Sequence, residues 1–341
     1  MTPKLQEDRR TKSEAIFSGI ELLTPIWRHV LQLSSININD NFFDLGGDSS
    51  LALQLFTEIA KECGREMPPV TIYQAPTIAA LAALLEQPTT PRFPALVLLK
   101  PGAANPPVFI AHGLGGSVMD FFQPVRHIQA DHAIYGLQTR GIDGVDEPLE
   151  SIEDMARFYL DAVRKVQPRG PYLLIGYSLG GLVVLEMAQR LTTAGEKVAL
   201  LAMIDAYPHM SQLPLGQRTL LIARQARRGL SSLADFTGGG SYQPPAGVLL
   251  TPAMQRVRDS AYLALTRYRP HYYPGKIKFV RAEISSGFPN NARAVWSNLA
   301  KEIEVETVPG DHLGMIATHF EKLASTLSRY LDEAAREKRG L

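Results

Sequence analysis

The chain has 341 residues, 45% hydrophobic and 20% charged, enough for one large domain or two unequal ones with real cores, which excludes disorder as the overall state. Lys and Arg number 35 against 34 Asp and Glu, a formal net charge of +1, so no global charge draws the chain to nucleic acid or an anionic membrane; neither is expected as a partner. The charged start MTPKLQEDRRTKSEA is no signal peptide and no apolar run reaches the roughly 18 residues of a membrane span, so a soluble, cytoplasmic protein is expected. The single cysteine, Cys63, excludes an internal disulfide and a thiolate metal cluster. It closes a helical pattern before Gly64 and is expected to be a small buried or half-buried residue; no metal site is expected.

After a short N-terminal tail, apolar spacing is helical over Ile20 to Leu33, Ser50 to Cys63 and Thr77 to Leu85, which describes a small helical bundle. Residues 1–90 hold 7 Lys and Arg against 11 Asp and Glu, and the remainder 28 against 23, so the two parts should attract weakly. Prolines at 88, 91, 94, 101, 106 and 107 then fix φ and remove backbone donors, marking a joint. Residues 1–88 are therefore read as a first domain, 89–106 as a linker containing a first strand at Ala95 to Leu99, and 95–341 as a second domain.

In the second domain short apolar runs, Val108 to Ala111, Ala133 to Leu137, Tyr172 to Ile175, Val198 to Ile204, Ile277 to Ala282 and Ile303 to Val308, alternate with helical patterns. Those patterns include Ser151 to Val166, Leu179 to Thr193 and Met315 to Glu333. The alternation predicts an α/β fold, a mostly parallel sheet covered by helices on both faces. Residues 208–270 interrupt it without a strand and contain the basic stretch GQRTLLIARQARRGL and the tract Gly238-Gly239-Gly240. An insertion this long inside a compact domain is expected to be a lid.

Two places carry chemistry. In Asn41-Phe42-Phe43-Asp44-Leu45-Gly46-Gly47-Asp48-Ser49-Ser50 the glycines permit a tight loop and Phe42, Phe43 and Leu45 anchor it. Ser49 then falls at a helix N-terminus, where free N–H groups and the helix dipole favour a phosphate, although Asp48 or Ser49 as a plain N-cap fits the same local pattern. The string resembles the phosphopantetheine attachment site of carrier domains, with likeness from about Ile20 to Leu85 that includes Ile72-Tyr73-Gln74-Ala75-Pro76-Thr77-Ile78. Its Gly-Gly-Asp-Ser form is closer to the peptidyl carriers of nonribosomal peptide synthetases than to polyketide acyl carriers, with Ser50 standing where leucine is commoner. The resemblance implies a 4'-phosphopantetheine arm on Ser49.

The second place is Gly176-Tyr177-Ser178-Leu179-Gly180-Gly181, between a buried strand and a helix, the context in which G-x-S-x-G exposes a serine on a sharp turn. A serine hydroxyl needs a base and the base an orienting carboxylate, in the chain order Ser, Asp, His on this architecture. Asp205, at the end of the next strand, is the candidate acid, a structural cap being the alternative. Of eight histidines only His312 lies in the loop that follows the last predicted strand, Pro309-Gly310-Asp311-His312-Leu313-Gly314, so it is the candidate base. His29 lies in the bundle, His112, His127 and His132 precede the elbow, His209 and His271 flank the insertion, and His319 is expected inside the last helix. Asp311 is read as a loop residue. Oxyanion donors are expected from the backbone N–H groups of Leu179 and of Leu114, the latter in His112-Gly113-Leu114-Gly115-Gly116. No lysine stands at Walker spacing after these glycines and G-x-G-x-x-G is not met, which argues against a phosphate loop.

From Ala95 to about Tyr330 these pieces resemble the terminal thioesterase domains of nonribosomal peptide and polyketide synthases, which are α/β-hydrolases. Gln138-Thr139-Arg140-Gly141, Val166-Gln167-Pro168-Arg169-Gly170-Pro171-Tyr172, Tyr268-Arg269-Pro270-His271-Tyr272-Tyr273-Pro274-Gly275-Lys276 and the Pro-Gly-Asp-His loop share the likeness. The family usually has proline where this chain has Gly113, a departure that bears on the second oxyanion donor and not on the triad. The resemblance implies release of an acyl or peptidyl chain from the carrier through an ester on Ser178, by hydrolysis or cyclisation. It also implies a phosphopantetheinyl transferase and upstream synthetase modules (condensation, adenylation or ketosynthase domains) as partners. An editing thioesterase that clears misloaded carriers, and a carrier and docking module with an inactive hydrolase fold, are the competing readings. With no adenylation or condensation domain, the chain reads as the excised end of a larger synthetase or as a protein loaded in trans.

Overall fold

A computed structural model describes residues 19–87, 93–227, 251–285, 289 and 291–339. The N-terminal tail, linker residues 88–92 and the middle of the expected lid, 228–250 with its glycine tract, lie outside the described residues. The chain divides into two compact units, Met1–Phe93 and Pro94–Leu341.

The first unit is helical: α1 over 19–31, α2 over Ser49–Cys63, α3 over Thr71–Gln74 and α4 over Ile78–Leu85. Leu23, Trp27, Phe42, Leu55, Ile59, Ile72, Ile78 and Leu81 are fully buried, each side chain contributing about 1.5–3 kcal/mol of apolar burial. Phe42 meets Trp27 edge to face at 5.3 Å and Phe43 lies 5.0 Å from Tyr73, so the aromatic pair pins the loop ahead of α2 to the bundle. α3 is too short to show a period in sequence and was not expected. Cys63 is exposed, contrary to expectation: it shares the face of α2 that buries Phe56 and Ile59, but stands in the last turn, where that face is no longer covered, and its Sγ donates to Ile59 O at 3.0 Å.

The second unit is a seven-stranded sheet: β1 Leu96–Lys100, β2 Ala104–Ala111, β3 His132–Leu137, β4 Tyr172–Tyr177, β5 Val198–Ile204, β6 Tyr273–Ala282 and β7 Ala300–Val308. Their spatial order is β1-β3-β2-β4-β5-β6-β7, with β1 antiparallel to β3 and all other pairings parallel. Around it lie α5 Phe122–His127, α6 Ile152–Val166, α7 Leu179–Thr193, α8 Leu215–Arg227, α9 Pro252–Arg267, α10 Ala292–Trp296, α11 Gly314–Ala317 and α12 Phe320–Arg339.

Strand alternation divides the core. Phe109, Leu174, Leu201 and Phe279 join α6 and α7 on one face. Val108, Ile110, Leu173, Ile175 and Val280 join Val125 of α5 and Leu323, Leu327 and Leu331 of α12 on the other. α6 shows why a helix forms there: Ile152, Met155, Ala156, Tyr159, Leu160 and Val163 make one buried stripe, the Ser151 hydroxyl caps the first turn, and charges match the dipole at both ends.

Several boundaries differ from the sequence pattern. β2 begins at Ala104, and its prolines fall in the register shift between Ala104 and Val108, where ladder bonds are interrupted. β6 and β7 start earlier because Tyr273 pairs with Ala300. The expected single helix from Met315 to Glu333 is two, α11 and α12, because the N–H groups of Thr318 and His319 both reach Gly314 O, at 2.9 and 2.8 Å, and close the turn. His319 therefore lies in the break and not inside a helix. Between positions 208 and 270 the described residues contain a 3₁₀ turn, α8 and α9 and no strand. No helix among the described residues is long and apolar enough to cross a membrane.

Strand order reverses between β2 and β4, so the connections leaving their carboxyl ends diverge and open a crevice there.

Candidate functional site

At that crevice β4, buried at every position, ends in Tyr177 and turns directly into α7. Ser178 makes the turn at φ 55° and ψ −121°, a backbone region that costs about 1–3 kcal/mol and persists only where its surroundings enforce it. They do so by close approach. A Cβ on Gly176 would lie 2.2 Å from Gly180 O, and one on Gly180 would lie 2.3 Å from His112 O, so glycine is required on both sides of the serine. Among the described non-glycine residues, Asp205 also has positive φ, at 42°, on the turn that follows β5.

The turn brings three sequence-distant groups together. His312 Nε2 lies 3.1 Å from Ser178 Oγ and His312 Nδ1 lies 2.8 Å from Asp205 Oδ2. Asp205 is 3% exposed, and its second oxygen accepts the N–H of Ala282 at 3.1 Å. A carboxylate only accepts, so Nδ1–H donates to Asp205 and Nε2 is left to accept the Ser178 hydroxyl proton. Asp311 is not part of this line: its carboxylate accepts the N–H of Gly314 at 2.8 Å and shapes the loop.

Leu179 is the first residue of α7, where first-turn N–H groups lack intrahelical partners. In the facing loop, Gly113 O is held by the N–H of Gly116 at 3.2 Å and by His112 Nδ1 at 2.6 Å. The peptide is trans, so with its carbonyl held on that side the N–H of Leu114 points the opposite way. This loop adjoins the serine: a Cβ on Gly113 would stand 3.7 Å from Ser178 Cβ.

The other histidines are elsewhere. His29 pairs with Glu58 on the helical unit, His127 is exposed on α5, His132 reaches Pro106 O, and His209 contacts Ser211 at the start of the expected lid. His112 is close to the site but buried, its Nε2 2.5 Å from Tyr159 Oη, and desolvation pulls its pKa down to about 4. It stays neutral and acts as a brace for the loop. Two further neighbours carry no motif of their own. Tyr177 stacks on His312 at 4.8 Å, and Asp120, on the 3₁₀ turn Val118–Phe121, feels His312 while burial pushes its carboxyl up to about 6. Their positions depend on folding, and the sequence pattern assigns neither of them a role. Among the described residues no cluster of three His, Cys, Asp or Glu is placed to hold a metal ion.

In the helical unit, Ser49 opens α2 directly after Asp48, whose side chain accepts the N–H of Leu51 at 2.9 Å. The preceding loop is drawn tight, with Gly47 N–H on Phe42 O at 2.9 Å and Gly46 at φ +92°. A hydroxyl-bearing residue at the positive end of a fifteen-residue helix is suited to a phosphodiester, so the residues present fit the group that the sequence implies.

Comparison with known proteins agrees with this division. Residues 106–331 match the family model described as thioesterase domain, and residues 21–85 match the one described as phosphopantetheine attachment site. The chain belongs to the thioesterase domain family, and ahead of that domain it carries a unit of the kind to which 4'-phosphopantetheine is covalently attached. A dimodular nonribosomal peptide synthase of Bacillus subtilis (strain 168) is 42% identical over 190 residues, 55% of this chain and 8% of that protein; the chain thus spans a small fraction of that relative's length. Among solved structures, a holo four-domain nonribosomal peptide synthetase bound to AMP and glycine aligns with TM-score 0.59 and 24% identity, over 91% of this chain and 26% of that one. The NocB thioesterase domain in covalent complex with a fluorophosphonate nocardicin G analog aligns with TM-score 0.51 and 23% identity, over 67% of this chain and 96% of that one. These likenesses show the fold, an α/β-hydrolase preceded by a helical carrier unit.

Proposed function

We propose that this chain releases an acyl or peptidyl group from a thioester on its own carrier unit, through a covalent ester on Ser178, in nonribosomal peptide or hybrid polyketide assembly. The observation that carries the reading is the unbroken line Asp205 Oδ2, His312 Nδ1, His312 Nε2, Ser178 Oγ at 2.8 and 3.1 Å, on a strained elbow, in a chain that also brings an attachment unit. We assign attachment of the arm to Ser49; when attached, it supplies a thiol that holds the acyl group as a thioester. The arm's length of roughly 20 Å, from bond counting, and the shared chain both favour delivery.

His312 takes the proton of Ser178 as the oxygen attacks the thioester carbonyl, and Asp205 holds the ring in its tautomer and stabilises the imidazolium. The N–H groups of Leu179 and Leu114 take up the developing oxyanion. His312 would then give that proton to the leaving sulfur, and an ester would remain on Ser178. His312 then serves as base for the second nucleophile, either water, giving an acid, or an amine or hydroxyl of the acyl chain, giving a ring. Residues 208–270 act as the lid that admits or excludes water. A phosphopantetheinyl transferase installs the arm, and upstream condensation, adenylation or ketosynthase domains supply the cargo. The carrier fused to the hydrolase sets release ahead of editing.

Ser178→Ala should leave the acyl group on the carrier and slow release by at least about a thousandfold, read by intact mass of the acyl-loaded chain over time. Release at the wild-type rate would refute the triad. Ser49→Ala should abolish loading yet spare hydrolysis of a small free thioester; loading that persists would refute the attachment residue.

A further inference from the structure

The geometry points to Tyr177 as a positioning residue that holds the base and the oxyanion loop at a fixed separation, by filling the space between His312 and Gly113. The inference rests on the triad reading and adds to it a residue that the triad does not include.

Tyr177 is the last residue of β4, directly before the turn at Ser178. Its ring lies over the imidazole of His312, centroids 4.8 Å apart and planes 23° from parallel. Its hydroxyl donates to the backbone carbonyl of His312 at 2.8 Å. The base is thus held at its ring face and at its main chain, while both ring nitrogens keep their lines to Asp205 and Ser178.

On another side, a Cβ placed on Gly113 would come within 3.0 Å of both Cδ1 and Cε1 of Tyr177, so the tyrosine ring packs against the bare main chain of the oxyanion loop. Phe121 meets it edge-on at 6.3 Å. Tyr177 is 3% exposed and its phenol is held protonated, because burial and the carboxylates of Asp120, Asp205 and Asp311 all push its pKa up; it remains a donor.

The energetic consequence is separable from substrate binding. The ring makes its two contacts to His312 in free enzyme and in the transition state alike, and what it controls is alignment of the proton acceptor with Ser178. Misplacement of a reacting group by about 1 Å costs on the order of a hundredfold in rate. Loss of one hydrogen bond to a carbonyl costs about five- to tenfold.

The test uses the full chain, a short acyl thioester of N-acetylcysteamine as substrate, and fluorophosphonate labelling of Ser178 as a second readout. Tyr177→Phe, which keeps the stack and removes the donor, should lower kcat and the labelling rate about five- to tenfold, and Tyr177→Leu should lower both about a hundredfold. KM should stay within about twofold in each variant, and thermal unfolding of Tyr177→Phe should match wild type. Should Tyr177→Leu fail to fold, Tyr177→Phe decides alone. If the variants label and turn over at the wild-type rate, the positioning role is overturned and the triad stands. If KM rises and kcat does not fall, Tyr177 contacts substrate and the inference is likewise overturned. If the wild-type chain is not labelled at Ser178, the triad reading fails first and takes this one with it.

Discussion

Replacing His112 by Gln removes a buried ring that holds its charge off through desolvation, and the expected effect is a stability change that depends on pH. The ring is 1% exposed and its pKa is lowered to about 4 from an ordinary 6.5. The unfolded chain therefore binds a proton that the folded one refuses, so stability is full above about pH 6.5 and is lost as pH falls toward 4. Between pH 7.5 and 4.5 that linkage amounts to about 2–3 kcal/mol. At pH 7.5 the variant also loses the bonds to Gly113 O and Tyr159 Oη, at about 1–3 kcal/mol. Wild type should thus exceed the variant at pH 7.5 by that amount, and the gap should close or reverse at pH 4.5. Urea unfolding at the two pH values, followed by amide exchange of residues 172–193, reads the α/β unit separately from the helical one. A gap that stays the same at both pH values would refute a neutral, desolvated brace beneath the loop 113–116.

Gly180→Ala should push the elbow off β2, because the added carbon would stand 2.3 Å from His112 O and 2.5 Å from Ala111 O. A cost of about 2–4 kcal/mol is expected, a fall in Tm on the order of ten degrees for the α/β unit, and an unchanged Tm would sink the close-approach argument. Asp48→Ala removes the acceptor for Leu51 N–H at the start of α2 and should cost the helical unit about 1 kcal/mol. Faster amide exchange confined to peptides of that unit is the expected readout, and exchange that does not change would show that the cap is dispensable.

Local patterns were legible where each rests on a short stretch of chain. β4 reads as Tyr-Leu-Leu-Ile because a strand covered on both faces has no polar side, and it is buried throughout. α6 reads from its 3.6-residue stripe and its caps. Patterns failed where chain-distant partners decide an element's extent. β6 starts at Tyr273 because Ala300 pairs with it, and the prolines at 106 and 107 sit in a strand because the register slips beside them. The exposure of Cys63 is not in the pattern either, since a helix period gives a face and not how far a neighbour covers its last turn.

For the site, the order of Ser178, Asp205 and His312 along the chain and the glycines around the elbow were set in the primary structure, because sharp turns and nucleophile chemistry demand particular residue types at fixed spacing. Distances of 2.8 and 3.1 Å between groups more than a hundred residues apart were not, since they exist only once β4, β5 and the last loop share one crevice. The same holds for Tyr177 and His112. Each is an ordinary residue by its neighbours in sequence, and each has its place because packing puts an imidazole above one and a loop carbonyl beside the other.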